Sequence, residues 1–196
     1  EAMRLGGLEM PPMGGKGKVV EADETYFGKV EKPGPGKSRK GRAYTKGGKS
    51  GPSKKRAIVS LVERDGNVRS FHVPFATKEV IVNIVRENIH KETKLYTDES
   101  NLYPGAHWPH GEHETVKHSA KEYVRGNVHT NTVEGYFSIF KRGMKGVYQH
   151  CKEKNLHRYL AEFDFRYNTR DLSDVERTLL AIKHGEGKRL TYHQSN

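Results

Sequence analysis

The chain has 196 residues, is 33% hydrophobic and carries a formal net charge of +11, with a sequence pI near 9.6. That length suits one domain with a sizeable core, and the charge points to a polyanionic partner. A single cysteine, Cys151, excludes an intramolecular disulfide and a cysteine-based zinc site and fits a reducing cytoplasm, while no apolar run reaches membrane-spanning length.

Residues 1–17, EAMRLGGLEMPPMGGKG, read as the end of a helix followed by a Gly/Pro linker, as if an N-terminal region preceded them. Lys18 to Gly28, KVVEADETYFG, has the composition of a strand, and its two-residue period puts Glu21, Asp23 and Thr25 on one face. From Lys29 to Arg56 the chain holds eleven Lys/Arg against one acid, so nearly all of the net charge is concentrated there. Six glycines and three prolines between Lys29 and Lys55 argue against regular structure. The 29–55 segment therefore reads as a basic flexible insertion whose Lys37, Arg39, Lys40 and Arg42 are suited to gripping phosphates.

Arg56 to Arg64 and Val68 to Phe75 are β-branched, apolar runs joined by Asp65-Gly66-Asn67, a hairpin signal. Thr77 suits an N-cap, and Val80, Ile81, Ile84, Val85 and Ile89 predict a helix reaching about His90. Lys94 to Thr97 reads as a short buried strand delivering Asp98 to its C-terminal end. A short helix or turn over Asn101 to Trp108 and a strand over His113 to His118 follow. From His129 to Met144, Val133, Tyr136, Phe137, Phe140 and Met144 form the core side of an amphipathic helix. Asn131, Glu134, Ser138 and Lys141 share its polar side. A second helix carries the stripe Leu156, Tyr159, Leu160, Phe163 and Tyr167. Ser173-Asp-Val-Glu176 is a capping box for a third, which Gly185 ends.

A strand, a two-stranded hairpin, a crossover helix, a parallel strand, another strand and C-terminal helices is the element order of an α/β, ribonuclease-H-like mixed five-stranded sheet flanked by helices. The catalytic unit would span 18–170, with 171–196 a C-terminal helix and tail. In that layout Asp23 and Asp98 are neighbours, and the helix bearing Glu134 crosses the same edge. Convergent carboxylates of this kind are what two Mg²⁺ ions, about 4 Å apart, require for phosphodiester chemistry.

The segments VEADETYFG at 20–28, LYTDES at 95–100, HTNTVEGYFSIFKRGMKGVYQH at 129–150 and HRYLAEFDFRYN at 157–168 carry a resemblance. Together they resemble the catalytic domain of bacterial insertion-sequence transposases of the DDE class, in the branch whose full-length members bear an N-terminal zinc ribbon. The resemblance implies a DNA transposase that cleaves transposon ends and transfers the strand to target DNA, using two Mg²⁺ ions with Mn²⁺ as a substitute. It gives Asp23 and Asp98 the two Asp positions, and gives Lys141, with Arg142 beside it, a DNA-contacting role. The third ligand is Glu134 or Asn131, one turn apart; an anionic carboxylate is the stronger Mg²⁺ ligand, which favours Glu134. A bacterial, nucleoid-associated protein, at least dimeric in its active complex, is the corresponding expectation. Two alternatives stand beside it: a structure-selective nuclease of the same fold, and a non-catalytic DNA-binding module derived from a transposase.

Other residues carry blander readings. His107, His110, His113 and His118 have irregular spacings for zinc. His129 is placed to orient a ligand or touch phosphate, and Glu21, Glu24 and Glu99 read as neighbours that tune the field. Tyr148 and His150 are explained by packing as well as by DNA contact.

Overall fold

The computed structural model describes residues 10–29, 55–98, 100, 102–103, 112–116 and 128–187. The basic 29–55 segment apart from its ends, Glu99, Trp108 and three of the four clustered histidines lie outside the described residues. Five strands form one mixed sheet: β1 (Val19–Lys29), β2 (Lys55–Glu63), β3 (Val68–Val73), β4 (Lys94–Asp98) and β5 (His113–Val116). Their spatial order is β3-β2-β1-β4-β5. The first three pair antiparallel, while β4 lies parallel to β1 and β5 parallel to β4. Four helices flank the sheet: α1 (Lys78–Asn88), α2 (Asn131–Gly143), α3 (Leu156–Asn168) and α4 (Asp174–Gly185). This is the expected ribonuclease-H-like layout, in which β4 can run parallel to β1 because α1 carries the chain back across the sheet.

The interior strand β2 is largely apolar on both faces because both are covered. Ala57, Val59 and Leu61 join Ile81, Ile84 and Val85 of α1 in one core. Ile58 and Val62 join Val133, Phe137 and Phe140 of α2 and Leu160 and Phe163 of α3 in the other. The Asp65–Asn67 turn closes the β2–β3 hairpin with Asp65 at φ +55°. Thr77 caps α1 by accepting a hydrogen bond from Val80 N at 3.3 Å. The capping box of α4 is formed as its sequence requires.

Two features go beyond the sequence reading. Met13, inside the stretch read as a linker, is buried and hydrogen-bonded across α1's C-terminus, from Met13 N to Asn88 O at 2.7 Å and from His90 N to Met13 O at 2.8 Å. Gly14 follows at φ +85°, where a Cβ would stand 2.2 Å from Thr93 Oγ1, so only glycine fits. The second feature is the outer edge of β3. Its outward amides are met by side chains one turn apart on α3: Val68 N donates to Asn168 Oδ1 at 2.7 Å, and Ser70 N to Asp164 Oδ2 at 2.8 Å. A helix thereby covers a strand edge that would otherwise template pairing.

Candidate active site

β1 and β4 pair in register from Val19–Lys94 to Ala22–Thr97. The next residues along, Asp23 and Asp98, therefore emerge side by side where β4 ends and β1 runs on paired with β2 only. Three carboxylates, those of Asp23, Glu24 and Asp98, offer oxygens that all lie within 4.8 Å of one another. Two oxygens sharing one Mg²⁺ stand at most about 4.2 Å apart, so the cluster needs only a small contraction to hold an ion. Glu24, expected from sequence only to tune the field, stands within this group. The end of β4 lets Asp98 approach both.

The electrostatics of this cluster are dominated by burial and by acid beside acid. Burial, reinforced by Asp98 and then by Glu24, pushes the Asp23 carboxyl up to about 8, against the opposing Glu24 amide. That amide donates to Asp23 Oδ1 at 2.7 Å. Glu24 is also raised, by burial first and by Asp98 second. Its Oε1 accepts from Ser100 Oγ at 3.4 Å, whereas Oε2 is buried without a hydrogen-bond partner. Tyr103 lies close enough to Glu24 to oppose that rise, but its hydroxyl and Glu24 Oε2 both sit outside hydrogen-bond geometry. Ser100 N donates to Asp98 Oδ1 at 3.0 Å and so fixes that side chain. A hard cation would suit this donor set: it would offset the repulsion among the acids and give the orphaned oxygen of Glu24 a partner.

Glu134 sits in the first turn of α2, accepting from Thr130 Oγ1 at 3.1 Å. Its charge reaches Asp23, as the smallest of the contributions that raise the Asp23 carboxyl. It lies outside the group gathered within 4.8 Å. Asn131, at the exposed start of α2, is one turn earlier. Lys141, two turns after Glu134, is half-buried, and burial lowers its ammonium's pKa while Asp23 opposes the change. Lys55 and Lys145 act on the same ammonium, so three cations stand near the acidic end of the sheet. Arg142 is turned about 100° from Lys141 around the helix. It lines a groove with Ile139, Val147, Arg166 and Arg170, so the structure separates these two basic residues.

What places α2 against β1 is Glu21, fully buried two residues before Asp23. α2 gets no capping bond from its own Thr130 side chain. Instead its first amides turn to Glu21: Thr132 N and Val133 N donate to Oε2 at 2.8 and 3.1 Å, and Thr132 Oγ1 donates to Oε1 at 2.9 Å. Arg64 Nε closes the arrangement on Oε1 at 2.7 Å while its Nη2 donates to His129 O at 3.0 Å. An anion at a helix N-terminus is stabilised by the unpaired amides there, and the Arg64 guanidinium offsets the cost of burying it. His129 Nδ1 is 3.3 Å from Glu21 Oε1, so this histidine belongs to the anchor, facing Glu21. Of the histidines weighed for zinc, the described one, His113, pairs through Nε2 with Thr97 Oγ1 at 2.9 Å between β5 and β4. Tyr148 packs edge-on against Tyr159 and donates to Glu162, and His150 is exposed.

No curated protein matches the chain. Residues 14–168 match the ISXO2-like transposase domain. That span begins at Gly14, just after the buried Met13, ends at Asn168, which clips β3, and contains all five strands and the acidic cluster. The fold and the match agree, and the chain belongs to the ISXO2-like transposase family, as an insertion-sequence transposase catalytic domain of the DDE class.

Proposed function

We propose that the domain cleaves the ends of a mobile DNA element and joins them to target DNA in a Mg²⁺-dependent reaction, with Mn²⁺ a working substitute, on the nucleoid DNA of a bacterial cytoplasm. The observation that carries this reading is the convergence of Asp23, Glu24 and Asp98 at the open end of β4 in a chain of transposase family. Among the described residues no helix is long and apolar enough to cross a membrane.

Asp23 and Asp98 would hold the two metal ions, with Glu134 completing the set from α2 and Glu24 lending its unpartnered oxygen. Asn131 is the neighbouring candidate for Glu134's place. Bound Mg²⁺ supplies Lewis acidity, neutralising the phosphate and lowering the pKa of an attacking hydroxyl. The chain's own groups orient the DNA. Lys141, with Lys145 and Lys55 around it, meets the phosphates flanking the scissile bond, and Lys37, Arg39, Lys40 and Arg42 extend that grip along the duplex. Arg142 meets DNA only where the duplex bends around α2. In the first step a water oxygen bonds to phosphorus and the bond from phosphorus to the 3′ oxygen breaks, the water giving up a proton to solvent and the leaving 3′ oxygen taking one up to become a hydroxyl. In the second, that 3′ hydroxyl bonds to a target phosphorus, displaces the target's own 3′ oxygen and gives up its proton. Bringing two ends to one target requires at least two protomers.

The test is a duplex carrying an element end, incubated with wild type and with Asp98→Asn at equal protein concentrations. Metal-dependent nicking and strand-transfer products from wild type alone, with duplex binding retained by both, bear the reading out. Nicking without joined products moves the chain to a nuclease. Binding that ignores Mg²⁺ and Asp98 moves it to a non-catalytic module.

A further inference from the structure

α4 lies beyond the residues that match the transposase family. None of its residues is buried. Its inner side meets the body through Arg177, which donates to Thr169 O from Nη2 at 3.2 Å, and His184, which stands edge-on to Phe165. On the outer side of the helix Val175, Leu179 and Ile182 are 69, 62 and 67% exposed. They recur at intervals of four and three residues, the spacing of the seam of a two-helix coiled coil, and Leu172, in the turn before the Ser173 cap, is 37% exposed beside them. A helix of this length is marginal in water without a covered apolar face, so a stripe this regular calls for a partner.

The charges beside the stripe identify that partner. Glu176 follows Val175 and Lys183 follows Ile182, so the two lie on the same flank, one acid and one base, two turns apart. When two such helices pair antiparallel about a two-fold axis, like flanks meet. Glu176 of each copy then comes beside Lys183 of the other, twice, while Leu179 and Ile182 interlock with Ile182 and Leu179. A parallel pair brings unlike flanks together and sets Lys183 beside Thr178, leaving both charges without a complement. We infer that α4 is a self-association surface, on which a second copy of this chain docks its own α4 antiparallel through the Val175–Ile182 stripe. This surface is isologous. At about 18 Å of helix it is smaller than a standard interface, so the dimer forms reversibly with concentration.

Sedimentation velocity of the DNA-free chain across a wide concentration range tests this. Wild type is expected to pass from monomer to dimer. The double variant Leu179→Glu, Ile182→Glu is expected to stay monomeric throughout, with its helical circular dichroism unchanged and its thermal midpoint close to that of wild type at concentrations where wild type is monomeric, since both side chains are mostly exposed there. Lys183→Glu, which leaves the stripe and the capping box intact, should weaken dimerisation about fivefold at low salt, the size of two exposed ion pairs. That difference should shrink at high salt. A wild type that remains monomeric overturns the proposal, and so does a dimer that survives the double substitution.

Discussion

Glu21 and Thr132 are joined by two hydrogen bonds across 111 residues of sequence, one to the Thr132 amide and one to its hydroxyl. The carboxylate that caps α2 therefore belongs to β1, on the same strand as Asp23, and the distance between Asp23 and Glu134 is set by that joint. Glu21→Gln keeps the shape but loses the charge opposite Arg64 and gives an N–H to a position that receives only donors. A loss of about 3 kcal/mol in stability is expected, as for breaking a buried ion pair. Below the lowered melting temperature, kcat for nicking should fall more than the DNA concentration needed for half-saturation changes. A purely structural acid would leave the folded fraction with wild-type kcat, so single-turnover rates normalised to folded protein decide the point.

Gly143, in the last turn of α2, gives a prediction whose sign depends on which effect wins. Helix propensity alone favours alanine by about 1 kcal/mol. A Cβ there, however, would meet Phe163 Cζ at 2.5 Å. The Phe163 ring packs edge-on against Phe140 and Tyr148, which oppose its displacement on two sides, while its remaining edge borders the groove beside Arg142. Gly143→Ala is therefore expected to destabilise by about 1 to 3 kcal/mol, the cost of overpacking, and urea unfolding measures it directly.

The sheet and its order were legible because each strand carries its own signal: β-branched runs, an Asp-Gly turn, and a Thr cap before α1. Asp23 and Asp98 could be placed as neighbours from element order alone, since a strand that returns parallel beside β1 has few positions open to it. The roles of Glu21 and Glu24 could not. Period-two reading assigns a face, but not whether a buried acid on that face has a helix N-terminus above it, as Glu21 does, or an ending strand beside it, as Glu24 does. Both depend on residues at least 70 positions away. Asp164 was hidden for a similar reason, because its partner is the edge of β3 and nothing in its own helix marks it.

Asp164 sets a pH dependence. Burial pushes its carboxyl up to about 6, against the opposing bonds from Tyr136 and Ser70. The folded state thus holds a proton that the unfolded chain, titrating near 3.8, releases earlier. Between those values the folded protein binds more protons than the unfolded, so this group's contribution to stability declines as pH rises from about 4 to about 6 and is constant above. Asn at this position can still accept from the Ser70 amide, and the hydroxyls of Ser70 and Tyr136 can reverse to accept from its amide group. Asp164→Asn is expected to flatten the stability profile across that window while keeping the fold. Chemical denaturation of both proteins at several pH values gives the comparison.

The last prediction sets stability against function at the acidic cluster. Asp23 is buried against Asp98 and Glu24 with no positive group bonded to it, so in the metal-free protein it is a cost. Removing that ionisable carboxyl should stabilise: Asp23→Asn without divalent metal is expected to melt above wild type by a few degrees, equivalent to about 1 kcal/mol. Added Mn²⁺ should reverse the order. Wild type gains stability because the ion binds only the folded state, and the gain grows with the logarithm of metal concentration once sites are filled. Asn offers one neutral oxygen in place of an anionic group, so the variant should gain little and support no strand cleavage. Melting curves of the two proteins, with EDTA and then across a Mn²⁺ titration, should therefore cross. Parallel curves would mean that the acids repel one another without forming a metal site, and the assignment of the reaction to the end of β4 would fail with it.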